Sequence, residues 1–126
     1  MGMVVEGIVS KGLGEGAFFM SMPHYKNEIK SKLGFDAYPG TLNIKTDENT
    51  IAKIKKLKSS RIEGYSSNGK TFAGADCCPA KIKIIDGFVI FPDLTKHKDI
   101  LEFIAPVHVK SALNIKDGDK IKVEIK

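Results

Sequence analysis

The chain has 126 residues, the size of one domain built around one hydrophobic core, and we expect a single domain over residues 1–126. Hydrophobic residues make up 42% and charged residues 28%, a globular balance that excludes a disordered chain. No apolar run approaches the roughly 18 residues of a membrane-spanning helix, and the first residues lack the pattern of a secretory signal. We therefore expect a cytoplasmic protein without a membrane partner.

The charge pattern bears on the kind of partner. There are 20 basic and 15 acidic residues, giving a net charge of +5, and every basic residue except Arg61 is lysine. Proteins that read DNA bases rely on arginine, and proteins that bind single strands interleave basic and aromatic residues. Aromatic residues are only 8% here and are not interleaved in this way. We expect no nucleic-acid partner. The lysine-rich composition suits a small anionic ligand such as a nucleotide, with solubility or growth at high temperature as the alternatives.

The first half of the chain predicts strands, a glycine-rich loop and a helix. Residues 3–9 predict a strand, residues 10–16 a glycine-rich loop and residues 17–22 a second strand. Pro23 opens a helix in which apolar residues recur every four positions, and Gly34 ends it. Residues 40–45 predict another strand. Residues 46–57 fit either a short helix or an irregular loop, and the run Lys53, Lys55, Lys56 and Lys58 predicts a solvated face.

Two hairpins are predicted next. Asn68-Gly69 joins strands over residues 61–67 and 70–76, because both turn residues accept a positive φ. Asp86-Gly87 predicts a second turn, between strands over residues 80–85 and 88–91.

The last third of the chain predicts a strand over residues 100–105, a short helix over 107–113, a turn at residues 117–118 and a final strand over 120–126. Eight or nine short strands and two short helices, without alternation of strand and helix, favour a closed β-barrel. The adjacent Cys77 and Cys78 predict strand or strand-end residues in a reducing compartment rather than a disulfide or a metal site.

Two segments predict contacts with phosphate and metal. Glycines at the alternate positions 12, 14 and 16 leave backbone N–H groups open to a phosphate, with a flexible turn between strands as the alternative. Thr41 and Asn43 point to the same face of a strand. Two neutral oxygens suit Mg²⁺ when water and phosphate supply the other ligands. A pair of polar residues on an exposed strand is the alternative.

Glu102 lies in the otherwise apolar segment over residues 100–104. The period of a strand places it on one face with Ile100 and Ile104. Burial beside apolar groups raises the pKa of a carboxyl group and makes it a better base, whereas a carboxylate at the edge of the surface has no such role. Glu102 is therefore a candidate base, or a residue that orients a substrate.

In combination these segments resemble the archaeal CTP-dependent riboflavin kinases over nearly the whole chain. The motifs that carry the resemblance occur in the family's order: Glu6-Gly7, Val9-Ser10, Gly12-Leu13-Gly14-Glu15-Gly16, Leu33-Gly34-Phe35, Tyr38-Pro39-Gly40-Thr41-Leu42-Asn43, Ile104-Ala105-Pro106 and Lys116-Asp117-Gly118-Asp119. Some members carry an extra N-terminal helix-turn-helix domain, whereas we expect this chain to begin directly at the first barrel strand. The resemblance implies a mainly β fold, a six-stranded cradle-loop barrel with one or two short helices at its rim.

The resemblance also implies an activity and a set of site residues. Members of the family transfer the γ-phosphoryl group of CTP to the 5′-hydroxyl of riboflavin, giving FMN and CDP. In this chain, Thr41 and Asn43 would then hold one Mg²⁺ ion, and Thr95 and Glu102 would contact the flavin. The implied nucleotide-binding residues come from the glycine-rich loop and from a segment near the C-terminus: Gly12, Leu13, Gly14, Glu15, Gly16, Ala17, Val107, His108, Val109 and Lys110.

The chain departs from the family pattern at two places, and two alternatives stay open. The stretch from Thr95 to Glu102 is one residue shorter than expected. Lys110 stands where the pattern has arginine, which keeps the charge and loses the bidentate geometry. The alternatives are a nucleotide- or flavin-binding barrel without catalysis, and a DNA-binding barrel of the AbrB type, which about the last fifth of the chain resembles and which dimerises to complete its barrel. We find no large apolar stripe in the sequence that would indicate an obligate partner, so we expect a monomer.

Overall fold

A computed structural model of the protein describes residues 2–12, 20–95 and 97–126, apart from the side chain of Ser67. Within these residues the chain forms nine strands and three helices. The strands are β1 Met3–Ser10, β2 Leu42–Lys45, β3 Ser60–Ile62, β4 Tyr65–Ser67, β5 Lys70–Phe72, β6 Ala75–Ile82, β7 Ile85–Pro92, β8 Ile100–Ile104 and β9 Lys120–Ile125. The helices are α1 Pro23–Leu33, α2 Glu48–Lys55 and α3 Val109–Leu113.

Six of the strands close an antiparallel β-barrel, which confirms the predicted fold class. The order around the barrel is β6, β7, β8, β2, β1 and β9, and β9 pairs again with β6 to complete the ring. β3 pairs with the first half of β6 and β9 with its second half. The described part of the chain holds three helices rather than the one or two predicted.

Alternating side chains fill the inside of the barrel. Ile121, Val123 and Ile125 of β9 are buried, and the charged residues between them are exposed. Because each fully buried aliphatic side chain contributes about 1.5–3 kcal/mol, this alternation fixes which face of each strand points inward. Ile51 and Ile54 of α2 belong to the same core cluster, so this helix packs against the barrel.

A second hydrophobic cluster lies on the outside of the barrel wall. Ile90 of β7 and Ile104 of β8 belong to it, whereas their neighbours along each strand belong to the inner core. Tyr25 and Ile29 of α1 join the same cluster, together with Ile62 of β3. Helix α1 therefore covers one outer face of the barrel, and the candidate site lies along this face.

Helix α1 confirms the predicted start at Pro23 and the stop at Gly34. Gly34 adopts a left-handed φ of 86°, and its N–H bonds to the carbonyl oxygens of Ile29 and Lys30, which closes the helix. The predicted strand over residues 17–22 is wrong for residues 20–22, which do not form a strand; residues 17–19 lie outside the described residues. Met22 is extended, but it serves as the N-cap of α1 rather than pairing with another strand.

The segment that fitted either a helix or a loop forms helix α2. Asp47 starts it, because its side chain accepts a hydrogen bond of 2.8 Å from the backbone N–H of Thr50. Helix and cap together leave the lysine side chains of this segment in solvent, as predicted: Lys53, Lys55, Lys56 and Lys58 are all exposed.

The turn of the first predicted hairpin is confirmed, but its strands cover only residues 65–67 and 70–72, because each predicted strand is interrupted. The position of the second turn is wrong. Asn68 and Gly69 have φ values of 51° and 77° and join β4 to β5. The turn between β6 and β7 lies at residues 83–84 instead of Asp86-Gly87. Gly87 is inside β7, where an added Cβ would meet the carbonyl oxygen of Ile104 and the ring of Phe103. That glycine therefore permits a close approach of two strands, and it does not form a turn.

The remaining predicted strands and helix form, but the strand over 40–45 begins only at Leu42 and one helix also starts late. The strand over 100–105 and the final strand form as β8 and β9, and Gly118 makes the turn before β9 with a φ of 94°. Helix α3 begins at Val109, two residues later than predicted, because the extended His108 is its N-cap. Cys77 and Cys78 are free, buried thiols. No helix among the described residues is long and apolar enough to cross a membrane.

Candidate functional site

Three polar residues form a row across neighbouring strands on the outer face of the barrel. Asn43 of β2 pairs directly with Glu102 of β8 on one side and with Ser10 of β1 on the other. Residues that pair directly across an antiparallel ladder point to the same face of the sheet. The flanking residues Val9, Leu42 and Leu101 are buried in the barrel core, so the polar row points outward. Because inward and outward side chains alternate along each of these strands, the polar row lies on the same outer face as the second hydrophobic cluster.

Thr41 completes this row just before β2 begins. Its hydroxyl lies 3.2 Å from Oδ1 of Asn43 and 3.4 Å from Oε1 of Glu102, with the hydroxyl as donor toward both. The expectation that Thr41 and Asn43 share a face is confirmed. Glu102 is partly buried and shares its outer face with Ile104, as the strand period predicts. Three oxygen-bearing side chains predicted separately from the sequence therefore converge on one point.

A cavity of about 1080 Å³ opens between this row and helix α1. Thr41, Asn43 and Glu102 line it on the barrel side. Tyr25 of α1 and Phe72 of β5 line it on the opposite side. The volume and the mixture of a few polar groups with apolar and aromatic walls suit a ligand of the size of a cofactor.

The rim of the large cavity is formed by the segment after β7. Thr95 lines the same cavity as Glu102, so the structure brings both residues that were predicted to contact a flavin to one space. Leu94 lines it as well and is 74% exposed, which leaves an apolar side chain open at the entrance. The backbone N–H of Thr95 bonds to the carbonyl oxygen of Pro92 at 3.3 Å, which closes a turn at the rim.

An ion-pair network fixes the start of this rim. Both terminal nitrogens of Arg61 bond to the carboxylate of Asp93, at 2.9 and 2.6 Å, and the guanidinium also pairs with Asp76 and Glu63. The hydrogen bonds from Arg61 lower the pKa of Asp93 below its ordinary value. Asp93 immediately precedes Leu94 and Thr95, so this bidentate pair anchors the chain at the cavity rim.

A second, smaller cavity of about 230 Å³ lies on the other side of Thr41. The four residues predicted from the segment near the C-terminus, Val107, His108, Val109 and Lys110, all line it. Thr41 lines both cavities. Thr41, whose hydroxyl contacts Asn43 and Glu102, therefore belongs to the walls of both cavities.

The side chains around the small cavity are already paired with one another. The ring of His108 stacks on the ring of Tyr38 with centroids 5.0 Å apart, and Nδ1 of His108 lies 2.6 Å from Oγ of Ser111. Nζ of Lys110 forms a salt bridge of 2.7 Å with Asp117. Lys110 thus brings a positive charge to the cavity, and the carboxylate of Asp117 partly neutralises that charge.

Gly12 lies beside the polar row, at the start of the glycine-rich segment. It lines the large cavity, and a Cβ at this position would collide with Nδ2 of Asn43. The absence of a side chain therefore lets the backbone come close to Asn43. The other predicted loop residues, Leu13, Gly14, Glu15, Gly16 and Ala17, lie outside the described residues.

The donor set at Thr41 and Asn43 fits a hard divalent cation. A hydroxyl oxygen and an amide oxygen 3.2 Å apart offer neutral oxygen ligands, and the carboxylate of Glu102 lies next to them. Mg²⁺ keeps several of its waters and is held by few protein groups plus substrate phosphates. A small set of protein oxygen ligands is therefore sufficient. No cluster of three or more His, Cys, Asp or Glu side chains suited to a metal occurs within the described ranges.

Sequence reasoning missed three residues of this site. Ser10 lines the large cavity next to Asn43, Tyr25 forms part of its far wall, and Tyr38 stacks on His108. For Ser10 the signal was available: alternation along β1 buries Val9 in the core and therefore turns Ser10 outward. Nothing in the sequence alone predicted that α1 would fold over the outer face, so the role of Tyr25 could not be read from it.

Comparison with known proteins shows a match to one protein family. The family model CTP-dep_RFKase, described as a domain of unknown function, DUF120, matches residues 9–125. This match extends over both cavities and all six barrel strands, although it begins within β1.

Several relatives of the chain are named riboflavin kinase. One from Methanosarcina mazei is 40% identical over 126 residues, covering 97% of this chain and 56% of that protein. One from Pyrobaculum aerophilum is 43% identical over 123 residues, covering 94% of this chain and 59% of that protein. One from Thermoplasma acidophilum is 36% identical over 126 residues, covering 98% and 57%. The chain thus spans little more than half the length of the curated relatives it matches.

Proposed function

The chain belongs to the CTP-dependent riboflavin kinase family, and from this premise we propose that it transfers the γ-phosphoryl group of CTP to the 5′-hydroxyl of riboflavin, giving FMN and CDP. The observation that carries the proposal is the position of Thr41. This residue lines two cavities of different size, and its hydroxyl contacts both Asn43 and Glu102. A kinase for a large acceptor needs this arrangement, because the two substrates must approach one reacting phosphorus from opposite sides.

The large cavity is the proposed flavin site. Its apolar and aromatic walls suit a planar ring system, and Thr95 and Glu102 supply polar groups for the rest of the molecule. The small cavity, lined by Val107, His108, Val109 and Lys110, is the proposed nucleotide site together with Gly12 and the loop that follows it. With this assignment the phosphate chain runs from the small cavity past Thr41 toward Glu102.

The reaction needs positioning and charge neutralisation more than covalent help. The 5′-oxygen of riboflavin attacks the γ-phosphorus, the bond from that phosphorus to the bridging oxygen breaks, and the hydroxyl proton leaves as CDP departs. Glu102 lies next to Thr41 and is placed to accept this proton or to orient the hydroxyl. The backbone N–H of Gly12 would supply a donor for a phosphate oxygen.

Thr41 and Asn43 are the residues that would hold Mg²⁺. When bound, Mg²⁺ supplies positive charge that neutralises the phosphate oxygens during transfer. The Thr41 hydroxyl donates its proton toward its neighbours, which leaves its oxygen lone pairs available as a ligand. The Nζ of Lys110 adds a further positive charge near the nucleotide, weakened by its salt bridge with Asp117.

The alternatives from the sequence are weaker than this proposal. A barrel of the AbrB type is completed by a second chain, whereas all six barrel strands here come from one chain. A binding barrel without catalysis retains the cavities but has no need for Thr41, Asn43 and Glu102 to converge between them. The expectation of a monomer remains a prediction, which light scattering on the purified protein tests.

The test is to incubate the purified protein with riboflavin, Mg²⁺ and each of CTP, ATP, GTP and UTP in turn. FMN is separated from riboflavin by chromatography. We expect FMN mainly with CTP. FMN formed mainly with ATP would retain the kinase and overturn the choice of donor. Folded protein that forms no FMN with any donor, yet binds riboflavin, would instead support the binding barrel.

A further inference from the structure

One residue that lines the large cavity has a hydroxyl without a hydrogen-bond partner. Oγ of Ser10 is fully buried, and no group within the described ranges bonds to it. Buried hydroxyls in folded proteins are almost always paired, because leaving one unpaired forfeits the hydrogen bonds that it makes with water. An unpaired hydroxyl that lines a cavity therefore suggests that its partner is a ligand.

Other serines near the site do not share this feature. Ser111 bonds to the ring of His108, and Ser66 bonds to the hydroxyl of Thr71. Ser10 differs from them because it lies on the barrel wall inside the large cavity, as the last residue of β1.

The position of Ser10 indicates which part of a ligand it contacts. Ser10 pairs directly with Asn43, and Asn43 pairs with Glu102, so Ser10 lies on the side of Asn43 away from Glu102. Directly opposite side chains are about 5 Å apart, so a group bound at Asn43 is within reach of Ser10. Gly12, which approaches Asn43 closely, follows two residues later. Ser10 thus lies beside Asn43 and near Gly12, the residues assigned above to Mg²⁺ and to the phosphates.

We propose that Ser10 is a further substrate-binding residue, whose hydroxyl donates a hydrogen bond to a phosphate oxygen of the nucleotide held at Thr41 and Asn43. This inference rests on the proposed function for the identity of the anion. A hydroxyl is a suitable donor here because a hydrogen bond to a charged oxygen is stronger than one between neutral groups.

The experiment compares Ser10→Ala and Ser10→Cys with the wild type and with Ser60→Ala. Ser60 is a partly buried strand serine that lines neither cavity, so it controls for loss of a serine as such. Two quantities are measured: the KM values for CTP and riboflavin, and the increase in Tm caused by CTP with Mg²⁺ or by riboflavin alone.

We expect Ser10→Ala to raise the KM for CTP about tenfold, the loss typical of one hydrogen bond to a charged group, and to leave the KM for riboflavin within twofold. Without ligand, its Tm should equal or exceed that of the wild type, because an unpaired hydroxyl has been removed. A purely structural role for Ser10 would lower this Tm instead. Ser10→Cys should resemble Ser10→Ala, and Ser60→Ala should leave both KM values unchanged.

Several results would overturn the inference. One is an unchanged KM for CTP in both Ser10 variants; another is a defect confined to riboflavin; a third is a drop in the Tm of the ligand-free protein that accounts for the lost activity. These results differ from failure of the proposed function, in which the wild type itself forms no FMN with any donor; in that case the inference falls with it.

Discussion

Replacing Gly12 with alanine tests whether the glycine-rich segment acts through Asn43. A Cβ at residue 12 would collide with Nδ2 of Asn43, while Cγ of Asn43 stays at an ordinary distance of 3.6 Å. Only the end of the amide must therefore move, by on the order of 1 Å, to restore normal contact. The backbone of Gly12 does not have the left-handed φ that would strain an alanine.

The two effects of Gly12→Ala have different sizes. The free energy of unfolding should change by less than about 1 kcal/mol, because alanine reduces the entropy of the unfolded chain and only a flexible side chain is displaced. A displacement of about 1 Å at a catalytic group can lower the rate about 100-fold. We therefore expect kcat to fall by about 10- to 100-fold while Tm stays nearly constant, with Gly40→Ala as a stability control because its Cβ would meet only the Tyr38 ring.

A double-mutant cycle with Asn43→Ala identifies the cause. Once the amide is absent, the alanine at residue 12 has nothing to displace, so Gly12→Ala should have little further effect on kcat. The assay is the initial rate of FMN formation at saturating substrates for the wild type, both single variants and the double variant. If the two substitutions instead reduce the rate independently, so that their effects multiply, the reasoning is refuted.

Three further predictions concern stability and reactivity. Arg61→Gln should lower the free energy of unfolding by roughly 1 kcal/mol near pH 7, and this difference should shrink below about pH 4. The reason is that the hydrogen bonds from Arg61 lower the pKa of Asp93 in the folded state, so their contribution is lost as the pH falls through that lowered pKa. A difference in Tm between variant and wild type that is the same at pH 7 and pH 3 would contradict this. Burial raises the pKa of Cys77 to about 12 and also raises that of Cys78, so neither thiol should react with a disulfide reagent at pH 8 until the protein unfolds, and rapid labelling of native protein would show the burial to be wrong. Gly87→Ala should destabilise the fold by about 1–3 kcal/mol or more in urea titrations, since its Cβ has no room against β8; an unchanged midpoint would disprove the close approach.

The sequence predicted most strands because their signals are local. Asn68-Gly69 makes a turn through its own backbone preferences, and Ile121, Val123 and Ile125 alternate with charged residues wherever the strand packs. Asp86-Gly87 carries the same turn signal and was misleading, because Gly87 is needed for close contact with β8. That contact joins residues distant in sequence, so no local pattern could reveal it.

In the candidate site, too, some features could be predicted from the sequence and others could not. Thr41, Asn43 and Glu102 were each predicted from strand period or family resemblance, and their convergence follows from the pairing of β2 with β8. Register between strands is set by packing across the whole barrel, so the sequence alone did not supply it. The large cavity arises where α1 folds over the barrel wall, which is why Tyr25 escaped prediction.

The central claim is that phosphoryl transfer takes place where Thr41, Asn43 and Glu102 meet between the two cavities. The most direct test is the single-turnover rate of FMN formation by Asn43→Ala at saturating CTP, riboflavin and Mg²⁺, against wild type and against Asn49→Ala on the exposed side of α2. We predict a fall of at least about 100-fold for Asn43→Ala, in the range for loss of one preorganised polar group, and no change for Asn49→Ala. A rate for Asn43→Ala within threefold of wild type would contradict the account.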